Sequence, residues 1–148
     1  MLCHYSNGMD DCVFCRIVAG RLPASVVWRG DGCTAFVDIQ PINTGHVLVM
    51  PDEHATGLPD LPENTGARIF RIAQRTATAL YGSGLDCEGV NLFLVDGEAA
   101  GQEVFHVHLH VLPRFDGDGF GLRFGPDYAD TPDRETLEVT AKRIRDVL

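Results

Sequence analysis

The sequence predicts an α+β fold: about five strands in an antiparallel sheet, one long central helix, and a second helix at the C-terminus. Three observations carry this. The chain reads as two or three short strands, a helix, two more strands and a terminal helix, and the short connections between strands imply antiparallel pairing with segregated helices. The stretch His106–Arg114 alternates Val or Leu with His at a period of two, which is a strand signature. Ile69, Ile72, Ala73, Thr76 and Leu80 recur on one helical face. At 148 residues, 45% of them apolar, the chain has the length of one domain, expected over 12–148 after a loose tail over 1–11.

Each element has a local reason. Val13, Phe14, Ile17 and Val18 have near-helical spacing, and Gly20 and Pro23 stop that turn. Val26–Trp28 reads as a first strand and Arg29–Gly32 as a hairpin turn. Cys33–Ile39 reads as a second strand, and Pro41–Gly45 breaks it. His46–Met50 is a third strand, closed by Pro51. The long helix is expected to start near Asp60 or Asn64 and to end at Gly82 and Gly84. Gly89–Val95 forms a fourth strand and His106–Arg114 a fifth. The Gly-rich run 115–125 resists regular structure. Thr131, as N-cap, and Pro132, at the first helical position, are expected to open a last helix with Leu137, Ala141, Ile144 and Leu148 on its apolar stripe.

Charge and composition exclude several classes. The formal net charge of −9 repels nucleic-acid backbones and anionic membranes, so neither a polymeric nucleic acid nor a membrane is an expected partner. No apolar run approaches a membrane span, and the first residues do not resemble a secretory signal, so a cytoplasmic location is expected. Five cysteines are an odd number, against a closed disulfide framework. Cys33 and Cys87 read as small buried hydrophobes.

The chemistry concentrates in the alternating stretch. Val107, Leu109 and Val111 should face the core, leaving His106, His108 and His110 in a row on the other side. Such a row suits a metal site, because imidazole is the commonest metal ligand, or a nucleophile or acid/base site, because imidazole titrates near neutral pH. The loop before it carries Gly97 and Gly101, which let backbone approach an anion, and the run Gly101–Val104 offers successive amides to a phosphate.

Taken together, Gly101-Gln102-x-Val104-x-His106-x-His108-x-His110-Val-Leu-Pro-Arg114 resembles the signature of the histidine triad (HIT) family. The likeness extends upstream to Phe14-Cys15-x-Ile17, Ala35-Phe36-x-Asp38-Ile39, Gly45-His46-x-Leu48-Val49 and Pro51-x-x-His54. Within the family it looks like the branch of nucleoside phosphoramidate hydrolases and related bacterial proteins. A third histidine at His110 differs from the uridylyltransferase branch, which has Gln there.

The resemblance implies a HIT-like fold and a nucleotide hydrolase or transferase acting at the α-phosphate of purine nucleotide conjugates. His108 would be the nucleophile, forming a nucleotidyl-imidazole that water hydrolyses. His110 and the Gln102 side chain would contact phosphate oxygens. Gly101 and the amides around Glu103 and Val104 would offset developing charge. Phe14, Ile17, Phe36 and Ile39 would sandwich the base, Asp38 would accept from the ribose hydroxyls, and Asp96 would border the nucleotide. Asp96 stands where many relatives have Asn, and Glu103 where they have a small hydroxyl residue. A carboxylate at Glu103 is unfavourable beside an anionic substrate unless it is protonated, turned away, or used as an acid for the leaving group. His46 would lie near the phosphate site. Relatives commonly form homodimers, and the long helix is the expected contact. Hydrolysis of dinucleoside polyphosphates, a nucleotide-binding module with vestigial activity, and a metal enzyme built on the triad are the competing readings.

Cys12-x-x-Cys15 by itself is compatible with redox chemistry, half a zinc site, or chance. By resemblance to relatives with this N-terminal pair, His54 and His106 would complete a closed Cys2His2 zinc site of the structural kind. An imidazole relay from His54 and His106 towards His110 is the rival. No organic cofactor is expected.

Overall fold

The computed structural model describes residues 11–148; the expected N-terminal tail lies almost wholly outside the described residues. Contacts divide the chain into two compact units, one ending at Asp118 and the other spanning Gly119–Leu148. The sheet and every expected site residue belong to the first unit.

The first unit contains helix α1 (Val13–Val18), strands β1 (Val26–Gly30), β2 (Cys33–Val37) and β3 (Val47–Pro51), helix α2 (Glu63–Tyr81), and strands β4 (Gly89–Leu94) and β5 (Leu109–Arg114). The five strands form one sheet in the order β1-β2-β3-β5-β4, and every neighbouring pair is antiparallel. The β1–β2 connection is a two-residue hairpin: Gly30 pairs with Cys33, and Asp31 and Gly32 adopt φ of 55° and 69°. Two positive values in succession are what the right-handed twist of the strands requires, and Asp-Gly is a preferred pair for that turn.

Two apolar clusters lie on the sheet. One joins Cys33, Ala35, Val47, Val49, Val107 and Val111 with Ile69, Ile72, Ala73 and Leu80 of α2, so the helical stripe read from the sequence is the face that packs. The second joins Phe14 and Ile17 of α1 with Phe36, Leu48 and Met50. Strand alternation supplies the two sides. Cys33 is fully buried, and Cys87 is half-buried, packed against the first cluster.

Some boundaries differ from those expected. The fifth strand begins at Leu109 rather than His106. The backbone before it is pinned elsewhere: the Val107 N–H donates to the Ala55 carbonyl at 2.8 Å and the His106 N–H to the Val104 carbonyl at 2.9 Å. His106 and His108 therefore precede the strand. The second strand stops at Val37, and the long helix starts at Glu63 with Pro62 as its N-cap.

The second unit contains α3, Arg134–Arg145. Its N-cap is Asp133 rather than Thr131, and the Asp133 carboxylate accepts from the Thr136 N–H at 2.7 Å. Lys142 pairs with Asp146, and Arg145 with Glu138, along its surface. No helix among the described residues is long and apolar enough to cross a membrane.

Candidate functional site

Register builds the site floor. Phe36 pairs with Leu48, Leu48 with His110, and His110 with Phe93. Residues opposite one another in an antiparallel ladder share a face, so these four make one transverse row. The rings of Phe93 and His110 stack at 4.4 Å with an interplanar angle of 11°. Phe14, delivered by α1, meets Phe36 edge-on at 5.5 Å and His108 edge-on at 5.1 Å.

Above this row is a cavity of about 480 Å³. Of the twelve expected nucleotide contacts, its lining includes Phe14, Ile17, Phe36, Asp38, Ile39, Gly101, Glu103, Val104, His108 and His110. The other two, Asp96 and Gln102, have different positions. The exposed Asp96 carboxylate accepts from the Leu58 N–H at 3.0 Å. Gln102 is buried with its amide fully engaged: Oε1 accepts from the Gly97 N–H at 2.7 Å, and Nε2 donates to the Thr56 and Val104 carbonyls. That side chain shapes the loop from within and does not reach the cavity, which differs from the phosphate contact expected for it.

Hydrogen bonds fix the imidazole tautomers. The Nδ1–H of His108 donates to the His106 carbonyl at 2.7 Å, which leaves the Nε2 lone pair available. The Ile42 N–H donates to Nδ1 of His46 at 3.3 Å. His46 must then carry its proton on Nε2, from which it donates to Nδ1 of His110 at 3.0 Å. His110 in turn carries its proton on Nε2 and is a donor there. The Asp38 carboxylate lies 3.7 Å from Nδ1 of His46 and accepts from the Gln40 N–H at 2.9 Å.

Burial keeps these rings neutral. It lowers the pKa of His108 and of His46, and pushes His110 down to about 4, with His108 and His46 adding to the effect. A neutral imidazole is the form that attacks phosphorus. On the loop, the N–H groups of Glu103 and Val104 have no protein acceptor among the described residues, and both residues line the cavity.

The second group lies behind this row. Cys12, Cys15, His54 and His106 offer four ligand atoms, all within 4.8 Å of one another. Nδ1 of His106 is 3.6 Å from Cys12 Sγ and 3.5 Å from Cys15 Sγ, and Nδ1 of His54 is 3.3 Å from Cys15 Sγ. Zinc–sulfur and zinc–nitrogen bond lengths at a tetrahedral angle place S and N about 3.6 Å apart, so the cluster has close to the spacing of a zinc ligand set. The Nε2–H of His106 donates to the Pro51 carbonyl at 2.8 Å. This is the outer hydrogen bond that orients a ligating imidazole and turns its Nδ1 lone pair inward. Burial, with help from Cys12, pushes the Cys15 thiol up to about 11; a nearby cation is what would favour the thiolate.

The sequence did not single out Phe93, Gln40 or Ile42, which also line the cavity, as does Leu48 of the upstream motif. Phe93 was visible only as one residue of an apolar strand. Its place beside His110 depends on β4–β5 register, which alternation does not give.

Comparison with known proteins agrees with this geometry. The family model described as HIT domain matches residues 19–117. An uncharacterized HIT-like protein of Mycobacterium tuberculosis is 40% identical over 137 residues, 93% of this chain and 92% of that one. An adenylylsulfatase of Arabidopsis thaliana is 32% identical over 113 residues, 76% of this chain and 57% of that one. Among solved structures, a zinc-bound histidine triad protein of Mycobacterium smegmatis has a TM-score of 0.74 at 38% identity, covering 95% of this chain and 100% of its own. A histidine triad nucleotide-binding protein of Candida albicans has a TM-score of 0.80 at 27% identity, covering 92% and 96%. The chain belongs to the HIT domain family.

Proposed function

We propose that the chain hydrolyses purine nucleotide conjugates at the α-phosphate, cleaving the phosphorus–nitrogen bond of phosphoramidates by way of a nucleotidyl-His108 intermediate. In the first step the Nε2 lone pair of His108 attacks phosphorus, and the P–N bond breaks. The amine leaves with the bonding pair and takes a proton from water. In the second step water attacks phosphorus, the bond to His108 breaks, and the nucleoside monophosphate departs, returning a proton to solvent. His110, donating from Nε2, and the amides of Glu103 and Val104 offset charge on the phosphate oxygens. Phe14, Ile17, Phe36 and Ile39 hold the base, and Asp38 accepts from the ribose.

The observation that most supports this is the tautomer chain: His108 keeps a lone pair at Nε2, while the His46–His110 bond makes its neighbour a donor. The nucleotide-binding relative and the adenylylsulfatase support the substrate class. Adenosine 5′-phosphoramidate and a diadenosine polyphosphate should be compared with wild type and His108→Ala. Preferential cleavage of the phosphoramidate, lost in the variant, is expected; preference for the polyphosphate, or turnover that survives in His108→Ala, rejects the reading.

We further propose that Cys12, Cys15, His54 and His106 hold a structural Zn²⁺ that ties α1 to the segment carrying His108. The zinc-bound relative supports this. The free thiols among the described residues fit a reducing compartment such as the cytoplasm. A homodimer is the proposed assembly: β4 is a sheet edge and Phe70 and Tyr81 of α2 are exposed apolar side chains. Light scattering at micromolar concentration should give twice the chain mass; the monomer mass rejects it.

A further inference from the structure

The charge of the cavity wall points to a leaving-group preference that the phosphate chemistry alone does not set. Asp38 and Glu103 line the cavity, and no Lys or Arg does among the described residues. The histidines there add no positive charge, since burial holds His46 and His110 neutral. The site therefore has donors enough for one phosphate, in the His110 imidazole and the loop amides, and no cation to receive a second anionic group. A nucleotide phosphoramidate brings a single negative charge at the reacting phosphorus, whereas a polyphosphate leaving group adds one for each further phosphate.

The two carboxylates differ in what they are free to do. Asp38 is half-buried, and its carboxylate accepts from the Gln40 N–H. Glu103 is exposed, and its carboxylate has no hydrogen bond or ion pair among the described residues. It stands on the loop that leads into His106. His108 is buried, with 5% of its surface exposed. In-line displacement at phosphorus sends the leaving group away from the attacking atom, and for a buried nucleophile that direction is outward, to the rim that Glu103 borders.

We propose that Glu103 is a specificity-determining residue that favours leaving groups bearing a distal positive charge, such as diamine or lysine-like amines, over neutral and anionic ones. This rests on the phosphoramidate reading above. The coupling is between partly solvated charges, each worth a few-fold in rate. Cationic and anionic leaving groups differ by two such couplings, so about tenfold separates them. The preference also weakens with salt, as solvent-exposed charge pairs do.

The test uses three adenosine 5′-phosphoramidates of similar length, made from 1,3-diaminopropane, butylamine and 3-aminopropanoate. Wild type should rank them cationic, neutral, anionic in kcat/KM, with about tenfold between the ends. Glu103→Gln should shrink that span several-fold, and added salt should compress the wild-type span more than the variant's. Equal rates for the three substrates, or an unchanged span in Glu103→Gln, overturn the assignment to Glu103 and leave the phosphoramidate reading standing. No cleavage of any of the three overturns both.

Discussion

Stripping Zn²⁺ from the centre proposed at Cys12, Cys15, His54 and His106 is expected to lower the melting temperature by roughly 8–16 °C. The cluster ties α1, which also packs through Phe14 and Ile17, to the segment before β5. Helix α1 has six residues, too few to persist without tertiary contacts, and His106 lies in irregular backbone just before β5. Metal that binds only the folded chain at about 1,000 times its Kd adds about 4 kcal/mol. For a chain near this length each kcal/mol moves Tm by about 2–4 °C. The assay is thermal unfolding with and without a strong chelator, paired with elemental analysis. His106→Ala and Cys15→Ser should melt low and ignore the chelator. Cys87→Ser, whose thiol donates to the Gly89 carbonyl away from the cluster, should keep the wild-type response. Well under one zinc per chain, with melting unchanged by the chelator, refutes the argument.

Three further outcomes follow from the geometry. His46→Ala removes a buried donor and leaves Nδ1 of His110 unsatisfied, a loss of about 1–3 kcal/mol; kcat should fall about ten- to hundredfold with little change in KM, and an unchanged kcat would place His110 outside the reaction. Gln102→Ala removes three hydrogen bonds, two within the loop and one to the Thr56 carbonyl, worth about 2–3 kcal/mol together; it should lower the urea midpoint and raise KM, and undisturbed stability with a kcat loss alone would assign the side chain to phosphate instead. The pH dependence has a definite sign: His110 has an unfolded value of 6.5 and a folded value of about 4, so the unfolded chain binds more protons between them. Its contribution is complete above about pH 6.5 and is lost as pH falls towards about 4; urea melts at pH values across this window should show a smaller loss for His110→Asn than for wild type.

How much was legible in the sequence depends on the range of the interaction. Local rules located the strands, because β-branched runs end at Gly and Pro, and located α2, because its stripe from Ile69 to Leu80 faces a single core. Alternation also sorted Val107 and Val111 from the histidines correctly. It failed at the backbone of His106 to His108, where a bond to Ala55 holds the chain out of the sheet. Nothing in the periodicity of the segment reveals that partner. Spacing could mark Cys12 and Cys15 as a pair, but their convergence with His54 and His106 is a tertiary fact that resemblance anticipated. Gln102 shows the reverse limit: a motif position suggested phosphate contact, whereas the side chain satisfies buried backbone groups, whose positions only the folded loop defines. Phe93 was hidden for a third reason, since stacking on His110 needs the β4–β5 register.

The central step of the proposed reaction is the bond from His108 Nε2 to phosphorus. The most direct measurement is rapid acid- or base-quenched mass spectrometry of wild-type protein mixed with adenosine 5′-phosphoramidate, followed by mapping of the adduct. The expected result is a transient nucleotidyl mass on the peptide containing His108, labile to acid, stable to base, and missing from His108→Ala. Turnover with no adduct at any quench time, or an adduct on another residue, contradicts the mechanism.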